Sequence, residues 1–167
     1  YYPKDSKITE VQRTYIRKWI ASFETALAAG SISDPQTGYS KWIDAGSFQD
    51  YVLVQELARN VDGYRLSSFL GKDRDSKGGR LQAGPIWDLD IAMGLADYYD
   101  GWKTSGWVYD WDAKASNDGN GIPSWWPRLA REPGFRTGLA CRWKALRTGA
   151  WSDNSWRRRF DSLANLA

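Results

Sequence analysis

Two aspartates, Asp62 and Asp88, are the side chains best placed by the sequence to do chemistry. Asn60-Val61-Asp62-Gly63 precedes a predicted β-hairpin, and Trp87-Asp88-Leu89-Asp90 follows it. A hairpin returns its ends close together, so the two carboxylates should lie within about 10 Å of each other. One could then take a proton while the other holds a cation. A turn Asp at position 62 and a helix N-cap at position 88 are the structural alternatives.

The absence of histidine narrows the possible chemistry. The chain has no His and a single Cys, Cys141. It cannot build a Ser-His-Asp or Cys-His site by itself, and it cannot build a zinc site of the HExxH kind. Cys141 lies in an apolar run, which predicts a buried and inert thiol. Acid–base chemistry must therefore depend mainly on carboxylates.

Composition and charge argue against two classes of partner. The net charge is +3, and acidic and basic residues are mixed along most of the chain, so we expect no dedicated nucleic-acid surface. The cluster Arg157-Arg158-Arg159 is predicted to be the solvated face of a helix. No apolar stretch is long enough to span a membrane. The chain begins at Tyr1 rather than Met, so we expect a fragment or a processed form.

The elements that position the two aspartates are mostly helical. Apolar residues recur at three- and four-residue steps from Ile8 to Ala29, and Ser47 is predicted to cap a second, buried helix ending near Asn60. Between these helices, residues 31–46 are predicted to be mostly loop. Two strands, Tyr64–Leu70 and Arg80–Ile86, flank a glycine-rich turn. Three more helices are expected at Ser124–Arg131, at Gly134–Arg147 and from Asn154 onward. The fold class is therefore α+β, mostly helical, with one small hairpin sheet.

A long aromatic loop separates the two helical parts. Residues 94–121 are rich in Gly, Asp, Trp and Tyr without a clear period, and loops of this length in a domain are usually functional. Exposed indoles there could stack on sugar rings, whereas buried ones would anchor the core. The tryptophans concerned are Trp102, Trp107 and Trp111 of this loop, with Trp125 and Trp126 shortly after it.

The residues around the hairpin resemble those of a known family. The segments concerned are Phe48–Leu57, Asn60–Arg65, Lys72-Asp73 and Gly84–Asp90, with helices around Trp125-Trp126 and Arg142-Trp143. In these segments the chain looks like the C-terminal part of the CotH kinase domain, the spore coat protein H family. The most specific part is the Asn-x-Asp and Gly-Pro-x-Trp-Asp-x-Asp pair at hairpin spacing. We expect residues 1–167 to be a single-domain, catalytic-lobe fragment of such a domain.

The resemblance implies an atypical protein kinase-like C-lobe that works in a secreted, cell-surface or spore-coat protein. Members transfer phosphate from ATP to protein serines with Mg²⁺ or Mn²⁺. Asp62 then matches the catalytic Asp, and Asp88 matches the metal-binding Asp. Asp90 belongs to the same motif as Asp88 and is implied to be a further metal-binding residue. A structural role for Asp90 stays open. The implied partners are ATP and a protein with an acceptor Ser, with carbohydrate as a further candidate.

Two departures from the kinase pattern bear on activity. No credible glycine-rich phosphate loop is present, and Gly78-Gly79 is better explained as hairpin turn chemistry. Kinases also place an Asn metal ligand a few residues after the catalytic Asp, where this chain has Ser67 and Ser68. Serine hydroxyls are weaker metal ligands. The alternatives are a surface-exposed carbohydrate-binding module and a structural coat or envelope component without catalysis.

Overall fold

The structure is a computed structural model that describes residues 4–111 and 121–166. In these ranges it contains five α-helices and one antiparallel pair of short strands. The helices are α1 (Glu10–Ala28), α2 (Ala45–Ala58), α3 (Trp125–Arg131), α4 (Pro133–Thr148) and α5 (Asp153–Ala164), and the strands are β1 (Leu70–Lys72) and β2 (Leu81–Ala83). The predicted α+β class with one small sheet is confirmed.

Helix α1 closely follows its predicted bounds and packs through its C-terminal half. Thr9 caps it in a reciprocal capping box with Gln12, in which each side chain bonds the other residue's backbone N–H. Phe23 and Leu27 are buried in the core, whereas Val11 is 80% exposed. The apolar period therefore predicted the helix correctly, although its first turns do not pack on the core.

Helix α2 begins earlier than predicted. Asp44, not Ser47, is its N-cap, and the Asp44 carboxylate accepts a hydrogen bond from Ser47 N. The Ser47 hydroxyl instead accepts a hydrogen bond from Ala83 N in β2. The Ser47 prediction was wrong because its side chain joins the helix to the hairpin. The helix ends at Ala58, and Arg59 follows in a left-handed conformation with φ of 55°.

The hairpin is present, but its strands are shorter than predicted. β1 and β2 pair from Leu70–Ala83 to Lys72–Leu81. Residues 64–67 form turns and a bend instead of a strand, because the Asp62 carbonyl accepts hydrogen bonds from three following N–H groups. Leu81 also bonds to the segment before α2, through Leu81 N to Trp42 O and Asp44 N to Leu81 O. The hairpin is thus tied to the start of α2.

The core is aromatic and centred on α2. Trp126 of α3 stacks on Tyr51 at 5.2 Å between ring centroids and lies 5.0 Å from Tyr64 and 5.2 Å from Phe48. Burial of large rings lets a few residues supply much apolar area. The segment before α2 contributes Tyr39 and the partly buried Trp42, as predicted for that loop. The segment that enters the hairpin therefore packs, through Tyr64, against this aromatic core.

The C-terminal helices correct two further predictions. Ser152, not Asn154, caps α5 by accepting a hydrogen bond from Ser155 N. Cys141 is exposed rather than buried, because α4 turns a different face inward and buries Phe135. Arg157, Arg158 and Arg159 are exposed, as predicted. Across the described residues, no helix is both long and apolar enough to cross a membrane.

A buried carboxylate holds the start of α4. Glu132 is 4% exposed and accepts hydrogen bonds from Ser33 Oγ and from the N–H groups of Gly134 and Phe135. Burial acts to raise the pKa of Glu132, but these hydrogen bonds outweigh it and hold the pKa below its usual value. Glu132 therefore acts as the N-cap of α4 and links that helix to the loop after α1.

Candidate functional site

The turn that carries Asp62 is held directly on α2. The Asp62 carbonyl accepts hydrogen bonds from the N–H groups of Arg65, Leu66 and Ser67, which wraps the chain tightly around it. Gly63 lies against Gln55, and a Cβ atom at Gly63 would come within 2.4 Å of the Gln55 Oε1. A larger residue at this position would force the buried Gln55 side chain to move. This contact packs the turn against α2, which carries Gln55.

Asn60 joins the two ends of the hairpin. Its side chain is fully buried, with an exposed fraction of 0%. Asn60 Oδ1 accepts a hydrogen bond from Asp62 N at 3.2 Å, and Asn60 Nδ2 donates to the Asp88 carbonyl at 3.3 Å. One amide thus bridges the backbones of Asp62 and Asp88. The structure brings the two predicted residues together, as the hairpin pattern indicated.

Ser67 supplies a second link between the same residues. Ser67 N donates to the Asp62 carbonyl at 2.9 Å, and Ser67 Oγ donates to Asp88 Oδ2 at 3.2 Å. Asp88 is exposed and has a φ of 61°, a left-handed conformation that a non-glycine residue adopts rarely. Turns rather than a helix follow Asp88, so the helix N-cap alternative is wrong.

The Asp62 carboxylate has a partner on each oxygen. Arg65 Nη2 lies 2.9 Å from Oδ1, and the Tyr98 hydroxyl donates to Oδ2 at 3.0 Å. The side chains of Arg65 and Asp62 are only 3% and 14% exposed, so solvent screens this pair weakly. Burial, followed by the contact with Asp62, raises the pKa of Tyr98 to about 12. Tyr98 is therefore a neutral donor at physiological pH.

Asp90, the third predicted site residue, is not joined to the other two. It is exposed, and its Oδ1 accepts a hydrogen bond from the adjacent Ile91 N at 3.0 Å. Within residues 4–111 and 121–166, no group of three or more Asp, Glu, Cys or His side chains is arranged to hold a metal. Among the predicted metal-site residues, Asp88 and Ser67 have side-chain oxygen atoms close together, with Asp88 Oδ2 lying 3.2 Å from Ser67 Oγ.

Comparison with protein families identifies the chain. The model of the CotH kinase protein family matches residues 1–167, the whole chain. The chain belongs to the CotH kinase family. Comparisons with curated proteins and with solved structures give no match. In this family member, the paired aspartates lie at the two ends of one hairpin and share the partners Asn60 and Ser67.

The long loop of this CotH family member is anchored on the C-terminal end of α2. Glu56 accepts hydrogen bonds from Val108 N and Tyr109 N, and Arg59 donates to the carbonyls of Ser105 and Gly106. Burial is the largest influence on Glu56 and raises its pKa. Both anchoring residues belong to the last turns of α2 and its C-cap. The loop is therefore positioned by the same helix that positions Asp62.

The tryptophans of the predicted sugar surface fall into three groups. Trp111 and Trp126 are buried at 8% and 2% exposure, and Trp125 is partly buried and packs against the core. Trp102 and Trp107 are 55% and 53% exposed. The two exposed indoles line a groove of about 610 Å³ beside Arg59. Residues 112–120 of the predicted loop lie outside the described residues. Carbohydrate binding stays a prediction.

Sequence reasoning missed two partners of Asp62. Arg65 is the last residue of the segment Asn60–Arg65, and Tyr98 is one of many aromatic residues in the loop. The Asp62–Arg65 spacing of three residues was a usable signal, because a tight turn brings such residues together. Tyr98 gave no such signal, since its contact with Asp62 spans the entire hairpin and the following turns.

Proposed function

We propose that this CotH family member is a secreted or coat-associated atypical protein kinase. In this proposal, Asp62 receives the proton of an acceptor Ser hydroxyl, and Asp88 binds Mg²⁺ or Mn²⁺ on the phosphates of ATP. The observation that carries the proposal is the Asn60 bridge, which holds Asp62 and Asp88 together across the hairpin. The kinase-like lobe is part of the proposal.

The order of the parts supports a phosphotransferase over a structural module. A protein kinase places a catalytic Asp before a hairpin and a metal-binding Asp after it, with a further metal ligand shortly after the first Asp. Here Ser67 takes that third position, and its hydroxyl contacts the Asp88 carboxylate. Phosphoryl transfer depends mainly on positioning and charge neutralisation, so a link that holds the backbones of the two aspartates close together suits the reaction.

The donor atoms fit a hard divalent cation. Mg²⁺ is usually bound by one or two carboxylates, with substrate phosphates and water as its other ligands. Asp88 offers an exposed carboxylate and Ser67 a neutral hydroxyl oxygen beside it. When bound, the cation would neutralise charge on the phosphates. Asp62, already paired with Arg65, would remain for the acceptor hydroxyl.

A phosphotransfer assay tests the proposal. The full-length protein would be incubated with labelled ATP, Mn²⁺ or Mg²⁺ and dephosphorylated casein as a serine acceptor. We expect transfer that requires the metal and that Asp62→Ala abolishes, while the exposed control Asp161→Asn keeps it. Metal-dependent transfer that survives in Asp62→Ala would refute the role of Asp62.

Metal titration tests Asp88 without any turnover. Mn²⁺ relaxation or calorimetry would be run on this chain and on Asp88→Asn, Asp62→Asn and Asp161→Asn. We expect Asp88→Asn to lose binding, Asp62→Asn to weaken it less, and Asp161→Asn to retain it. Equal binding by Asp88→Asn and the parent chain would refute the assignment of Asp88 as the metal residue.

A further inference from the structure

The contact between Tyr98 and Asp62 is the feature that the proposed reaction does not use. Tyr98 lies in the loop after the hairpin, and its hydroxyl donates to Asp62 Oδ2 at 3.0 Å. A group whose proton is taken by a carboxylate must come within about 2.6–3.2 Å of one of its oxygens. The Tyr98 hydroxyl thus already has the geometry that an acceptor hydroxyl requires.

The other oxygen of Asp62 offers no alternative position. Oδ1 is held by Arg65, whose side chain is only 3% exposed. The Arg65 guanidinium also packs on the face of Tyr99, 4.6 Å from the ring centroid. Displacing Arg65 would strand a buried charge, which is costly. An external hydroxyl can therefore reach Asp62 at lower cost by replacing Tyr98, which is 37% exposed.

The loop is built so that Tyr98 can leave while the rest stays. On one side, Gly101 packs so closely that a Cβ there would come within 2.7 Å of Ala96 and 3.2 Å of Val61. Tyr99 and Asp100, directly after Tyr98, have φ of 49° and 58°. Non-glycine residues in this region store conformational energy and are found at switch segments. Rotation of the Tyr98 side chain would release Asp62 while Arg65 stays packed on Tyr99.

We propose that Tyr98 occupies the acceptor-hydroxyl position on Asp62 and controls which acceptors reach it. The inference rests on the proposed kinase function and adds a specificity-determining residue to it. An acceptor serine must compete with the Tyr98 hydroxyl for Asp62 Oδ2. An acceptor that also contacts residues 98–100 displaces Tyr98 more readily than a bare serine peptide does.

Steady-state kinetics of Tyr98→Phe test the competition. With casein as the acceptor in the full-length protein, we expect the KM for casein to fall on the order of tenfold, since a hydrogen bond to a charged group is lost from the resting state. The KM for ATP should not change. Tyr15→Phe is the matched control, because the Tyr15 hydroxyl also bonds a carboxylate, that of Asp75, far along the chain.

The outcomes separate this inference from the proposed function. An active protein in which Tyr98→Phe leaves the casein KM unchanged or higher would overturn the role of Tyr98 alone. A complete lack of phosphotransfer in the parent protein, Tyr98→Phe and Tyr98→Ala would overturn both proposals. An inactive parent protein that gains activity in Tyr98→Phe would support the inference.

Carboxyl labelling gives a readout that needs no turnover. A carbodiimide and an amine label would be applied to the folded parent protein and to Tyr98→Ala, followed by peptide mapping. We expect labelling of Asp62 to rise several-fold in Tyr98→Ala, while the exposed Asp161 labels equally in both. Circular dichroism would show that Tyr98→Ala is folded, and equal labelling of Asp62 in both proteins would overturn the inference.

Discussion

Replacing Asn60 should destabilise the fold and separate the two aspartates. Asn60→Ala removes two buried hydrogen bonds and leaves Asp62 N–H and the Asp88 carbonyl without these partners. Each lost bond costs about 0.5–1.5 kcal/mol, and a buried group left unsatisfied costs about 1–3 kcal/mol. Because Asp88 is exposed, water can compensate its carbonyl, so we expect a loss of about 2–4 kcal/mol in the free energy of unfolding.

Urea denaturation of the parent chain and its variants measures this loss. Asn60→Asp keeps an oxygen acceptor for Asp62 N but removes the donor to Asp88, and its added carboxylate raises repulsion at the site. It should therefore be at least as destabilised as Asn60→Ala. Asn154→Ala, at an exposed position of α5, serves as the control and should change stability by less than about 0.5 kcal/mol. If Asn60→Ala loses less than about 1 kcal/mol, the bridge is not what holds the hairpin ends together.

Three further predictions concern other parts of the fold. Because the folded-state pKa of Glu132 is lowered, its carboxylate stabilises the fold above the unfolded value of about 4.3, and this contribution is lost as pH falls through the folded pKa. Glu132→Gln should thus flatten the fall in unfolding free energy between about pH 5 and pH 3, measured in urea. The Lys72 ammonium lies 3.9 Å from the Trp19 ring centroid. Lys72→Met should therefore lower the free energy of unfolding by about 1–2 kcal/mol, whereas Lys77→Met, at an exposed position, should leave it unchanged. Ser67→Asn should tighten Mn²⁺ binding several-fold in a titration, because an amide oxygen is a better ligand than a hydroxyl.

Regular patterns in the sequence predicted the larger elements. The apolar steps of α1 and the glycine-rich turn of the hairpin depend on neighbouring residues, so they are visible locally. The nearness of Asp62 and Asp88 followed from the hairpin itself. By contrast, residues 64–67 have the composition of a strand but form turns and a bend, because hydrogen bonds to the Asp62 carbonyl override β-propensity.

Contacts between distant segments could not be predicted in the same way. Tyr98 contacts Asp62 from a loop that has no regular apolar pattern. Ser47 does not cap α2 but bonds from α2 to Ala83 in β2. Cys141 lies in an apolar run but on the exposed side of α4. In each case, the outcome depends on how two elements pack, which neighbouring residues do not encode.

The different partners of the two aspartates explain how one site could separate two roles. Asp62 is mostly buried and has a cation on Oδ1, so its negative charge is balanced within the protein. Asp88 is exposed, and the partner of its carboxylate among the described residues is the neutral Ser67 hydroxyl. An added cation should therefore be attracted more strongly to Asp88, whose carboxylate has this neutral hydroxyl as its partner in the described ranges, than to Asp62, which is already paired with Arg65. Asn60 contacts only the backbone of both residues, so it can hold them close without neutralising either carboxylate. This arrangement favours a metal at Asp88 and a hydroxyl proton at Asp62 over the reverse assignment.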